Sequence, residues 1–145
     1  MKEKVVAYLR DHLGMRSSER MEGFGAWLDA SLEDISENGD IVLKFEVRDE
    51  MLNPLGTLHG GVFSAMMDEA MGMQLYISSE EGVAYFAMNL TTDFVKNVKR
   101  NDFLLVKPII VRIGRNTATL RCEVYNSKNE LVGQGSSNFY KIQMQ

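Results

Sequence analysis

Residues 53–72 read NPLGTLHGGVFSAMMDEAMG, and this stretch decides how the rest of the chain is organised. Asn53-Pro54 opens it, Gly56 follows, and His59-Gly60-Gly61 stands ahead of an apolar run, Val62 to Ile77, in which only Asp68 and Glu69 are charged. Paired glycines before a long apolar segment predict a tight turn feeding a helix. There, another group can approach the backbone closely, and the first amides have no partner inside the helix. Such amides attract negative charge, including an oxyanion formed during reaction. A run that is apolar on almost every side predicts a helix buried on most faces. A carboxylate inside it is costly unless it is paired or useful, which makes Asp68 a candidate for chemistry.

Gly60 and Asp68 lie on one helix, about 12 Å apart along its axis at the usual rise. An oxyanion donor and a catalytic carboxylate must both sit about 3 Å from one reacting centre. One copy of the helix fails that requirement, whereas two antiparallel copies meet it, with Gly60 of one protomer facing Asp68 of the other. A catalytic role therefore predicts at least a homodimer.

The chain has 145 residues, of which 45% are hydrophobic, enough for one domain with a real core. A net charge of −4 argues against a nonspecific nucleic-acid binder, whose footprint is basic. Cys122 is the only cysteine, so no intrachain disulfide forms and a reducing compartment is expected. The opening MKEKVVAYLRDHLG carries acids and lacks the apolar core and cleavage site of a signal peptide. No window approaches the ~20 apolar residues of a membrane span. The expectation is a soluble cytoplasmic protein with no membrane or nucleic-acid partner. The ten methionines are read first as core filling; the sharper alternative is that Met66, Met67, Met71 and Met73 line a slot for a flexible acyl chain.

Residues 2–13 read as a short amphipathic helix stopped by Gly14, part of an N-terminal helical extension over 1–20. Residues 26–35 are strand-like but uneven, and Asn38-Gly39 marks a hairpin turn. Ile41, Leu43, Phe45 and Val47 alternate with polar residues, one face buried and one wet. After the central helix, strands are expected over 83–95, 103–113, 117–125 and 131–142. Pro108 fits an edge or bulge position, and Cys122 falls on an apolar face as an inert core thiol. Hairpin-length links imply an antiparallel sheet. The fold class is α+β, with the sheet wrapped around the long helix.

Asn53, Gly56, His59, Gly60 and Gly61, with Asp68 nine residues after the histidine, form a pattern that resembles the PaaI-type acyl-CoA thioesterases of the hotdog fold. The element order matches as well, over about residues 24–142. The resemblance implies that Asp68 is the nucleophile or the general base, and that the Gly60 amide polarises the thioester carbonyl. It implies that Asn53 orients the carbonyl or the water, and that His59 supports the loop and the thioester end. Gly61, Met67, Ala87, Lys96 and Arg115 are the accompanying candidates for substrate binding. It further implies a site shared by two subunits, dimers paired into tetramers, no metal, and coenzyme A only as part of the substrate. Ala87 stands where relatives often carry Ser or Thr, Thr91 and Tyr85 being the nearby hydroxyls. Lys96-Asn97 replaces a common Arg-Pro. Glu69, pointing about 100° away from Asp68, is expected to pair with Arg or Lys.

The reading is thus an acyl-CoA thioesterase that releases an acyl or arylacyl acid and coenzyme A. Two other readings stand beside it: a non-catalytic acyl-CoA-binding module, favoured by Ala87, and an enoyl-CoA hydratase or dehydratase using His59.

Overall fold

In the computed structural model, which describes residues 2–145, the chain opens with α1, Lys2–Arg10. Val6 and Leu9 are buried on one side of it, and α1 packs on the first strand and the central helix. The helix stops short of the expected residue 13 and turns at Gly14, whose φ of 84° is the left-handed conformation that glycine adopts without cost. Residues 14–17 then run beside the first strand, with Gly14 N and Leu32 N donating to Leu32 O and Met15 O and Ser17 N donating to Ala30 O.

The strand expected over 26–35 is corrected to two elements, helix α2, Phe24–Leu28, and strand β1, Ser31–Ile35. The break between them is Asp29, in left-handed conformation with φ 55°. Its carboxylate accepts from Arg16 Nε at 2.9 Å and from Ser18 N at 3.1 Å. The hydrogen bond from Arg16 holds the Asp29 carboxyl down at about 2.

Asn38-Gly39 makes the hairpin into β2, Ile41–Glu46, where Ile41, Leu43 and Phe45 are buried as the alternation requires. The apolar run is α3, Gly60–Ser78. Four strands follow: β3, Val83–Phe94; β4, Phe103–Ile113; β5, Thr117–Asn126; and β6, Leu131–Gln143. All pairs are antiparallel, in the order β1-β2-β4-β5-β6-β3. β3 therefore leaves its sequence neighbour β4 and closes the far edge of the sheet against β6. Pro108 sits just past Val106, where the pairing of β4 with β2 ends, so its missing N–H breaks no ladder bond.

The sheet curves around α3, which buries Phe63, Met66, Met67, Ala70, Met71, Leu75 and Ile77. Ala118, Leu120, Cys122 and Val124 face it from β5. Burial pushes the Cys122 thiol up to about 12, as expected of an inert core residue. Gln74 is the one fully buried polar side chain on α3. It accepts from Ile41 N at 2.9 Å and donates to Gly39 O at 2.8 Å, tying the helix to the β1–β2 hairpin. Among the described residues, no helix is long and apolar enough to cross a membrane.

Candidate active site

The loop ahead of α3 is built by Asn53. Its Oδ1 accepts from Leu55 N and Thr57 N at 3.0 and 3.1 Å, and its Nδ2 donates to Thr57 Oγ1 at 2.9 Å. This is an Asx-type turn, and Gly56, at φ 79°, completes it. Most of the bonding capacity of Asn53 is used inside its own loop; one amide hydrogen is left for anything else.

His59 is the N-cap of α3, and its Nδ1 accepts from Gly61 N at 2.9 Å. The bond requires an unprotonated Nδ1, so neutral His59 carries its hydrogen on Nε2, on a side chain that is open to solvent. A side chain on Gly61 would meet the His59 ring at 3.0 Å, so the glycine is what lets the ring fold back onto the amide. Gly61, expected to bind substrate, thus gives its N–H to His59. The Gly60 amide has no acceptor among the described residues. It lies at the first position of α3, where the helix dipole adds positive potential. This free donor and the capping histidine are two products of one short sequence.

Asp68 lies two turns further along α3, with Glu69 beside it and no ion pair or hydrogen bond to either carboxylate among the described residues. The expected Arg or Lys partner for Glu69 is therefore not found among the described residues. Burial raises the pKa of Asp68; burial and then the Asp68 charge raise that of Glu69. Both acids line a groove of about 470 Å³ between α3 and β3, together with Met21, Met73, Tyr85 and Ala87. Ala87 faces the groove without a hydroxyl, but Tyr85, two residues before it, brings one. Thr91 lies instead in a separate surface depression with Asp93 and Arg121.

The other candidates are scattered. Met67 is fully buried, its sulfur 3.0 Å from where a side chain on Gly135 would begin. In the single chain it fills the core and offers no surface to a substrate. Lys96 is ion-paired with Glu130. Arg115, exposed in the β4–β5 turn, has no ion pair among the described residues. The two cations lie at opposite ends of the β3–β6 pair, since Lys96 N bonds Val132 O and Lys141 N bonds Asn116 O. Met73 and Tyr85, both named from the sequence, line the groove, whereas Met21, Gly72 and Tyr76 are groove residues that sequence reasoning passed over. The signal was present, because Asp68, Gly72 and Tyr76 recur every four residues on one helix face, but the surrounding apolar run masked it.

Residues 55–132, more than half of the chain, match the Thioesterase superfamily, and the chain belongs to that family of thioester hydrolases. Human acyl-coenzyme A thioesterase 13 is 22% identical over 98 residues, which are 67% of this chain and 69% of the human protein. Among solved structures, a hypothetical thioesterase protein from Streptococcus pneumoniae, in a crystal with coenzyme A, superposes with a TM-score of 0.72 at 21% identity, over 80% of this chain and 88% of that one. A phenylacetic acid degradation-related protein from Ralstonia eutropha superposes with a TM-score of 0.71 at 23% identity, over 77% and 83% of the two chains. The six-stranded antiparallel sheet around a 19-residue helix is thus the hotdog fold, and the resemblance seen in Asn53 to Asp68 holds.

Proposed function

We propose that the protein hydrolyses acyl-coenzyme A thioesters in a homodimer, with each site built from the head of one α3 and the middle of the other. The observation carrying this is the pair formed by a free Gly60 amide and an unpartnered Asp68, too far apart on one helix to share a substrate. The edge of the sheet supports the dimer. β3 runs twelve residues with β6 on one side and, among the described residues, no strand on the other. Phe86 is 62% exposed, Met88 53% and, on the adjoining helix face, Tyr76 77%. A long apolar edge of this kind invites pairing. Joining β3 to β3 of the partner subunit sets the two α3 helices antiparallel and brings Gly60 toward the partner's Asp68.

In that site the carbonyl oxygen accepts from Gly60 N–H. Water, deprotonated by Asp68, attacks the carbonyl carbon, and the electron pair moves to the oxygen held by the amide. Collapse breaks the carbon–sulfur bond, and the thiolate leaves with the proton that Asp68 took. In the alternative route the Asp68 carboxylate attacks the carbonyl carbon directly, the carbon–sulfur bond breaks and the coenzyme A thiolate leaves. Water then cleaves the resulting anhydride to free acid and Asp68, with the released proton taken up by the thiolate. His59 fixes the loop, Asn53 turns its remaining N–H to the thioester end, and Arg115, with Lys96 secondary, meets the coenzyme A phosphates. Pairing of dimers into a tetramer and a cytoplasmic location, fitting the single buried thiol, complete the proposal.

The test is thiol release from an acyl-CoA panel by wild type and by Asp68→Ala, followed by mixing of two inactive variants. Mixed dimers of Asp68→Ala with Gly60→Pro contain one intact site and regain turnover if the site is shared. Turnover in Asp68→Ala equal to wild type removes the carboxylate from the chemistry, and mixed dimers that stay dead remove the sharing.

A further inference from the structure

A second cavity adjoins the carboxylate groove. It measures about 60 Å³ and lies between the N-terminal segment and the inner face of β1 and β2, with Leu9, Met15, Ala30, Leu43 and Ile77 among its walls. Met21 and Met73 line both spaces, so they form the threshold between them. Met21 is held there by α2: a side chain on Gly25 would begin 2.5 Å from its sulfur and 2.9 Å from Glu69 Oε1. The two polar residues with long side chains in the wall, Arg16 and Arg20, contribute their stems. Their guanidinium groups are engaged elsewhere, Arg16 by Asp29 and Arg20 by the Tyr8 hydroxyl at 2.9 Å. What remains is an aliphatic slot walled on one side by the N-terminal extension.

We propose that this slot receives the end of an unbranched aliphatic acyl chain whose thioester lies in the Asp68 groove, passing between Met21 and Met73. The proposal rests on the hydrolase reading above. Direction and size both support it. Glu69, Met73 and Ile77 recur every four residues along α3, the first two lining the groove and the last two the slot. That face of the helix, about 12 Å long from Glu69 to Ile77, therefore leads from the carboxylates to the slot. Benzene occupies an engineered protein cavity of about 150 Å³, more than twice this volume. A ring is excluded where a narrow polymethylene end fits. Flexible methionines at the threshold suit a chain that must thread between them. The N-terminal extension thereby acts as the element that measures chain length.

The experiment compares kcat/KM for acetyl-, butyryl-, hexanoyl-, octanoyl-, decanoyl- and phenylacetyl-CoA, using the full chain. Two variants change the slot in opposite senses, Ala30→Leu filling it and Met15→Ala enlarging it. Wild type should improve about fourfold for each methylene that enters the slot, and hexanoyl-CoA should exceed phenylacetyl-CoA. Ala30→Leu should cut the decanoyl-to-butyryl ratio tenfold or more, and Met15→Ala should move the optimum to longer chains. Turnover with a flat profile, a preference for phenylacetyl-CoA, or a ratio unmoved by both variants overturns the tail site while leaving the hydrolase reading intact. No thiol release from any ester overturns the hydrolase reading itself. Met15, part-exposed in the wall, keeps the test decisive if Ala30→Leu fails to fold.

Discussion

Replacing Gly60 with proline removes one hydrogen from the proposed site and almost nothing else. The Gly60 N–H has no acceptor among the described residues, so no structural bond is lost. Proline is favoured at the first position of a helix. It constrains the preceding residue to extended backbone, and His59 already sits at φ −60° and ψ 132°. Of the three ring carbons that proline adds, Cδ takes the place of the amide hydrogen, and Cβ would lie 3.1 and 3.2 Å from Cε2 and Cζ of Phe94, a ring that is 52% exposed and free to give way. Gly60→Ala introduces the same Cβ while keeping the N–H, and so isolates the amide. Loss of a single oxyanion donor costs about 10²–10³ in kcat, or ~2.7–4 kcal/mol. Gly60→Pro should therefore fall two to three orders of magnitude below Gly60→Ala in thiol release at saturating acyl-CoA. The alanine variant should stay within tenfold of wild type, and all three proteins should melt together. Equal kcat for the proline and alanine variants would refute the assignment of this amide as the oxyanion donor.

Other consequences concern Asp68 and the core. Because burial raises the Asp68 pKa and the reaction needs its carboxylate, the acid limb of kcat/KM should lie above the usual Asp value of ~3.9; a limb at or below that value counts against Asp68 as base. The same shift has an opposite sign for stability. The folded chain binds more protons than the unfolded one between the two pKa values, so this group costs stability as pH rises through the folded pKa. Asp68→Asn should melt above wild type at neutral pH, with the gap closing in acid below the unfolded pKa; a gap independent of pH would contradict the reasoning. Single turnover in heavy-oxygen water separates the two chemical routes, since label enters the Asp68 side chain only if it attacks directly. Gln74→Leu leaves Ile41 N and Gly39 O without their partner and should lower stability by about 2–5 kcal/mol in denaturant unfolding; a loss under 1 kcal/mol would mean water replaces the side chain.

The sequence by itself determined the elements and the chemistry of the loop. Period-two alternation at Ile41–Phe45 and Ala118–Val124, and the run from Val62 to Ile77, are local patterns, and local physics places their strands and helix. Gly60 and Gly61 before that run were enough to predict a helix head with a free amide. Of the strand expected over 26–35, the second half is β1, Ser31–Ile35, but the first half is helix, because a five-residue helix ended by a left-handed Asp29 leaves no periodicity to detect. Which strand lies at the edge was beyond local pattern: β3 reaches β6 across the whole sheet, and only long-range pairing decides that. The same packing took Met67 into the core and left Met73 in the groove, although the two methionines look alike in sequence. It also engaged most of Asn53 within its own turn and set Tyr85 beside Ala87. Burial, edge position and the meeting of residues far apart in sequence are properties of the assembled sheet around α3, whereas the capping of that helix is written in three consecutive residues.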